Sequence, residues 1–268
     1  MPHGTSRVPI VTFDVLQTNG DVILTKSQAQ FVPAWRSPEN VLLYVGCAVA
    51  AALLTVFGIL ADQVVEGDTA DFDRAVLMLF RDPATPQLPI GPAWFNESVR
   101  DVTALGSFPV LGILVTGIVL HLLMTGSRRT GLLIAISVIG GSIISMTLKA
   151  LFDRPRPDFT GAVDVFTSSF PSGHATTSAV VYLTIGVLLA QRARTWPARI
   201  LYLFGAVVLV AAIGMSRIYL GVHFPTDVLA GWSLGAAWAL ICLAIGHALR
   251  RRGTLEDEVP PGPKTEAA

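Results

Sequence analysis

Charged residues are scarce in this sequence. Of 268 residues, 19 are Lys or Arg and 19 are Asp or Glu, 14% in all, where a soluble domain carries about 25%. So few charges cannot cover the surface of a soluble body of this length. A hydrophobic fraction of 52% and a mean hydropathy of +0.60 agree and also exclude a disordered chain. Cysteine is nearly absent, and two residues cannot build a disulfide scaffold. Cys47 and Cys242 both fall inside apolar stretches and read as small buried apolar residues. No sign of charge is in excess: the net charge is zero, so no bulk attraction to nucleic acid is expected. What remains is a polytopic membrane protein.

Long apolar runs are what the sequence has instead. A membrane-spanning helix needs about 20 apolar residues, within a range of roughly 17–25. Six charge-free windows qualify: 40–61, 102–127, 130–148, 175–191, 200–216 and 228–249. The expected fold is all-α, a bundle of six transmembrane helices. The first window starts too late for a cleavable signal peptide and reads as a retained anchor. With an even number of spans both termini share a side. Arg128, Arg129, Arg192, Arg194, Arg199, Arg250, Arg251 and Arg252 fall on one face. Arg74, Arg81, Arg100, Lys149, Arg154, Arg156 and Arg217 fall on the other, amid most of the acids. Eight bases against seven becomes eight against three once four bases in chemical motifs are set aside, and the positive-inside rule then gives N-in/C-in.

The expected domains are a cytoplasmic extension over 1–39, a six-span unit over 40–250 and a disordered cytoplasmic tail over 251–268. In the extension, Val11, Phe13 and Val15 precede Asn19-Gly20, and Val22 and Leu24 follow, a hairpin signal. In the first external loop, Phe72, Ala75, Val76, Leu79 and Phe80 have helical spacing, with Asp71, Asp73 and Arg74 on the other side. That predicts a short interfacial helix on the extracytoplasmic surface, ended by Pro83, Pro86, Pro89 and Pro92. Gly231-x-x-x-Gly235 allows close helix approach, within one protomer or in a homodimer. Asn96-Glu97-Ser98 fits a glycosylation sequon.

Three polar clusters at helix ends all open on the extracytoplasmic face. Lys149 through Pro157 supplies Lys149, Arg154 and Arg156, with prolines that stop the helix. Arginine offers a planar fork to phosphate oxygens and lysine a point charge. Pro171-Ser172-Gly173-His174 leads into the fourth span, where free N–H groups make an anion site. Ser216-Arg217, then His223, then Asp227 adds a cation and a His–Asp pair that leaves one ring nitrogen free as a nucleophile. Each cluster alone reads equally well as a helix boundary, a cap or an interfacial histidine. Together, four cations, two histidines and one helix N-terminus suit a phosphate dianion, whose transfer is catalysed mostly by electrostatics.

Lys149-x6-Arg156-Pro157, Pro171-Ser-Gly-His174 and Ser216-Arg217-x5-His223-x3-Asp227 together resemble the signature of the type 2 phosphatidic acid phosphatase superfamily. The resemblance covers about residues 40–250. It implies that His223 attacks phosphorus to form a phosphohistidine and that Asp227 orients His223. His174 would protonate the leaving group and then activate water. Lys149, Arg156, Arg217, Ser172 and Gly173 would bind the phosphate. Arg154 lies outside the consensus and is expected only as a supporting cation. No metal or other cofactor is implied. The expected activity is metal-independent dephosphorylation of a lipid phosphate or diphosphate, of the polyprenyl, phosphatidic acid or phosphatidylglycerol phosphate type, at the outer face of an inner or plasma membrane. The alternatives are a lipid phosphotransferase, a saccharolipid phosphatase, and a non-catalytic lipid binder or translocator.

Overall fold

A computed structural model describes residues 7–10, 13–18, 21–26, 30–33, 38–159 and 167–251, with side chains over 40–159 and 167–249. The chain divides into two units, Met1–Ala48 and Val49–Ala268.

In the first unit β1 (Arg7–Ile10) pairs antiparallel with β4 (Gln30–Pro33), and β2 (Phe13–Thr18) with β3 (Asp21–Lys26). Thr18 sits opposite Asp21, the register that a two-residue connection imposes. The strands of the expected hairpin are therefore present. Val11, Asn19 and Gly20 lie outside the described residues, as does the tail beyond Arg251. The outer β1–β4 pair has no turn signal of its own and was not expected from the sequence.

The helices are α1 (Pro38–Glu66), α2 (Ala70–Met78), α3 (Ala93–Ala104), α4 (Phe108–Met124) and α5 (Arg128–Leu151). After them come α6 (Gly173–Ser178), a π-helical turn (Ala179–Leu183), α7 (Thr184–Arg192), α8 (Trp196–Tyr219) and α9 (Pro225–Arg251). Among the described residues, five stretches are long and apolar enough to cross a membrane: Asn40–Glu66, Arg128–Leu151, Gly173–Arg192, Trp196–Tyr219 and Pro225–Leu249. A sixth arises if α3 and α4, bent by 46°, count as one.

Two expectations about the first loop need correction. Pro92 starts a new helix instead of ending order in the loop, so residues 102–104 close α3 and the chain bends by 46° before α4 takes up the rest of the second window. The short helix α2 does form, but Asp73 is fully buried on it together with Leu77. One face of α2 thus packs into the protein and does not lie against lipid. The two short windows are lengthened at their polar ends: the fourth helical stretch begins at Gly173, and α8 runs on to Tyr219.

Close packing centres on α6, the π turn and α9. A Cβ placed at Gly231 would lie 2.8 Å from the Ser172 carbonyl oxygen, and one at Gly235 would lie 2.4 Å from that of Thr176. The Gly231/Gly235 stripe is therefore filled within the chain. Tryptophans on α9 fill gaps left by other glycines: Trp238 lies over Gly140 and Gly141 and donates to the Ser137 carbonyl at 2.7 Å. Trp232 lies over Gly214 and donates to that of Val210 at 3.1 Å. A core of Leu111, Val115, Leu122, Ile134, Val181, Leu188 and Leu243 joins α4, α5, the π turn, α7 and α9. Cys242 is buried as expected, whereas Cys47 is exposed on α1. An apolar stretch does not distinguish a lipid-facing position from a protein-facing one.

Candidate active site

The three motifs meet where the C-terminal ends of α5 and α8 approach the N-terminal ends of α6 and α9. Phe170 anchors the loop before α6: it is fully buried between Phe57 and Phe152, with ring centroids 5.9 and 4.9 Å away. The same loop is laced to the first motif. Ser169 N–H donates to the Arg154 carbonyl at 2.9 Å, Ser169 Oγ donates to that of Pro155 at 3.0 Å, and Arg154 N–H donates to Ser168 Oγ at 3.0 Å. Ser172 N–H donates to the Asp227 carbonyl at 2.9 Å, tying the start of α6 to the start of α9.

His223 is buried in the turn between α8 and α9. Its Nε2 lies 3.2 Å from Arg156 Nη1. A guanidinium has donors only, so Nε2 must present its lone pair and the ring proton must sit on Nδ1. Nδ1 faces Asp227 Oδ2 at 3.4 Å, ion-pair range but short of a well-formed hydrogen bond. The imidazole is thus held in the tautomer that offers Nε2 as a nucleophile. Burial pushes the His223 pKa down to about 4, against the pull of Asp227 and helped by Arg217 and Lys149. The ring is therefore neutral, and nucleophilic, at ordinary pH.

The cations around it are fixed by backbone and hydroxyl groups. Lys149 Nζ donates to the Ser168 carbonyl at 2.7 Å. Arg156 donates to the carbonyls of Thr167 and Val222, at 3.1 and 2.9 Å. Arg217 Nη1 donates to Thr103 Oγ1 on α3 at 3.0 Å, and its Nε is buried with no partner among the described residues. Ser172 Oγ is likewise buried and unpartnered. A Cβ at Gly173 would come within 3.4 Å of Lys149 Cε. His174 stands within electrostatic reach of Arg217, His223, Lys149 and Arg156. Unpaired donors beside three cations make a cradle for an anion.

All the expected site residues come together, Arg154 included, and the structure places this supporting cation against Asp227. Its Nη1 donates to Asp227 Oδ1 at 2.6 Å and its Nη2 to Asp73 Oδ2 at 2.7 Å. The guanidinium lies over the Phe224 ring, 4.3 Å from the centroid. It is held between two carboxylates and does not point at the phosphate cradle. Residues that the motifs do not name, Asp73, Thr103, Thr167 and Thr226, hold the motif residues in place. Asn96 accepts a hydrogen bond from the Tyr219 hydroxyl at 2.6 Å, a structural use for the amide in the sequon. Among the described residues, no group of three or more His, Cys, Asp or Glu side chains could hold a metal ion.

Comparison with known proteins shows the family. The profile of the PAP2 superfamily matches residues 130–251. Phosphatidylglycerophosphatase B of Bacillus subtilis is 32% identical over 195 residues, 69% of this chain and 88% of the relative. The decaprenylphosphoryl-5-phosphoribose phosphatase of Mycobacterium tuberculosis is 34% identical over 145 residues, 53% of this chain and 75% of the relative. The crystal structure of a transmembrane PAP2-type phosphatidylglycerolphosphate phosphatase from Bacillus subtilis superposes with a TM-score of 0.65 at 30% identity, covering 75% of this chain and 98% of that one. With the three motifs assembled at one end of a bundle of membrane-length helices, the chain belongs to the PAP2 superfamily and is a phosphatase of its membrane-bound branch.

Proposed function

We propose that the protein removes phosphate from a lipid phosphate or diphosphate through a phosphohistidine at His223. The observation that carries the reading is the pair of contacts on His223, Arg156 at Nε2 and Asp227 at Nδ1. A substrate phosphoryl group entering among Lys149, Arg156 and Arg217 takes the place of the imidazole as partner of Arg156 and faces the Nε2 lone pair. Nε2 attacks phosphorus as the bond to the leaving oxygen breaks, and His174 delivers a proton to that oxygen. The imidazolium formed at His223 is stabilised by Asp227. Neutral His174 then takes a proton from water, which attacks the phosphohistidine and releases phosphate. Ser172 Oγ and the Gly173 N–H join the three cations in stabilising charge on the equatorial oxygens.

The relatives are phosphatases of phosphatidylglycerol phosphate, of decaprenylphosphoryl-5-phosphoribose, of undecaprenyl diphosphate and of lipid A. They share a phosphate on a lipid anchor, and that is the substrate class proposed here. Counting α3–α4 as one span gives six, N-in/C-in, with the site facing the extracytoplasmic side of the inner or plasma membrane. Support comes from the arginines at the opposite helix ends, Arg128, Arg192, Arg199 and Arg250 among them. The domain division proposed is an extension over 1–39, the lipid phosphatase unit over 40–250 and a tail over 251–268.

The test is phosphate release by the purified protein from a panel of phosphatidic acid, phosphatidylglycerol phosphate, polyprenyl diphosphate and lipid A in detergent, with EDTA present. Release from at least one lipid, abolished in His223→Ala, is expected. No release by folded protein from any of them, or an activity that EDTA removes, would overturn the reading.

A further inference from the structure

Asp73 lies on α2, outside all three motifs and about 150 residues upstream of the His–Asp pair (Thr226 is 153 residues away in sequence). It is completely buried. A buried carboxylate needs both a counter-ion and hydrogen bonds, and Asp73 has both. Oδ2 accepts from Arg154 Nη2 at 2.7 Å and from Thr226 Oγ1 at 2.7 Å, and Oδ1 accepts from Thr226 N–H at 3.0 Å. The other arm of Arg154 donates to Asp227 Oδ1 at 2.6 Å and to Thr226 Oγ1 at 2.9 Å. Asp227 Oδ2 in turn accepts from Phe224 N–H at 2.9 Å and faces His223 Nδ1. The chain Asp73, Arg154, Asp227, His223 is continuous from the external loop to the nucleophile.

From this chain we infer that Asp73 is a positioning residue for the nucleophile, acting through Arg154 and the first turn of α9 on the carboxylate that orients His223. The inference rests on the proposed role of His223. Two consequences of losing the Asp73 charge can be separated. Geometrically, the amide of Asp73→Asn keeps one acceptor oxygen where the carboxylate has two, so Thr226 N–H and Arg154 Nη2 no longer both keep a good acceptor and Arg154 is held less firmly in its place beside Asp227. Electrostatically, Arg154 is shared by two carboxylates in the wild type; with one removed its charge falls wholly on Asp227. The field of Asp227 at Nδ1 then weakens, and the imidazolium that forms during attack is less stabilised. Asp73 touches neither substrate nor Nε2, so the loss belongs in kcat and not in KM. The other groups that set the charge of His223 are Arg156, Lys149 on α5, His174 on α6 and Arg217 on α8, and Asp73→Asn leaves all four unaltered.

The experiment compares wild type, His223→Ala, Asp73→Asn and Thr226→Val as full-length proteins in detergent micelles. The probes are dioctanoyl phosphatidic acid and a short-chain polyprenyl diphosphate. Wild-type turnover that vanishes in His223→Ala establishes the reading of the site; silence of the wild type on both probes overturns that reading, and this inference with it. Given turnover, Asp73→Asn is expected to lower kcat about 10–100-fold, by analogy with the carboxylates that orient metal-bound histidines. KM should stay within about twofold, as for an interaction that matters only in the transition state, and the acid limb of kcat/KM should move to lower pH. Thr226→Val, which keeps the Asp73 charge and removes one link, should give a smaller fall in kcat with the same unchanged KM. It remains informative if Asp73→Asn does not fold. Three results would refute the inference: wild-type kcat in both folded variants, a rise in KM with kcat unchanged, or a loss that only tracks the unfolded fraction while the pH limb stays put.

Discussion

The contact between α6 and α9 is tight enough that one methyl group should register in catalysis. At Gly235 an added Cβ would sit 2.4 Å from the Thr176 carbonyl oxygen and 2.8 Å from Ala179 Cβ, where ordinary contact begins at 3.4 Å. The obstructing atoms are backbone and a Cβ, so no rotamer change relieves the clash. The helices must separate by roughly the difference, 3.4 − 2.4 = 1.0 Å, at that point. Overpacking of this kind costs about 1–3 kcal/mol of stability. The catalytic consequence is larger than the structural one. Thr176 is two residues from His174, and α9 begins just beyond His223 and carries Asp227, so the displacement falls between the proposed acid and the proposed nucleophile. A misplacement of about 1 Å costs on the order of 100-fold. Gly235→Ala should therefore lower kcat/KM about 100-fold in a protein that still folds, with a modest drop in melting temperature in detergent. Gly205→Ala on α8, where nothing lies within 4 Å of the added methyl, is the control and should leave turnover unchanged. Wild-type kcat/KM in Gly235→Ala would refute the claim that helix spacing here sets the catalytic geometry.

Two further outcomes follow from the site itself. Ser172 Oγ is buried without a partner, so Ser172→Ala should leave melting temperature unchanged or raised, while kcat/KM falls about 10-fold for loss of one donor to the phosphate; a fall in stability with activity intact would contradict that assignment. Protonation removes the Nε2 lone pair of His223, whose pKa burial holds down at about 4. Activity should accordingly be lost as pH falls through about 4, and not through the ordinary histidine value near 6.5. The profile of kcat/KM reports this once divided by the dianion fraction of the substrate, and an enzyme limb at or above 6.5 would show that His223 is not held neutral by burial.

Much of this was legible because membrane proteins keep few polar residues without a use. Against a background of 14% charge, Lys149, Arg156, His174, Arg217, His223 and Asp227 stand out at helix ends, and the structure gathers them. The same background makes the helices easy to count and their ends easy to misplace. Residues 102–107 carry no more charge than the span that follows, yet the chain bends there by 46° between α3 and α4. Tyr182 fixes the turn from outside the segment by donating its hydroxyl to the Leu105 carbonyl at 2.9 Å. Nothing local in 102–107 announces a partner 77 residues away.

Asp73 and Arg154 were harder to read for a more instructive reason. Each has a role that its own segment suggests, a solvent-side acid on an amphipathic helix and a supporting cation beside the first motif. Spacing held a different hint. Asp73 is one helical turn from Leu77, and the two are buried together on one face of α2. An acid on the buried face of a helix demands a cation across the interface, and Arg154 supplies it from the first motif. The same guanidinium pairs with Asp227, so the residue that satisfies the loop helix also holds the carboxylate that faces His223. Motif spacing can report which residues meet the phosphate, since those roles are set by chemistry common to every substrate. It cannot report how the loop that carries α2 is fastened to them, because that depends on a contact between residues 81 apart in sequence. Contacts run unbroken from α2 through Arg154 and Asp227 to His223, so on the proposed mechanism a change on α2 that shifts Asp73 should alter turnover without touching any motif residue.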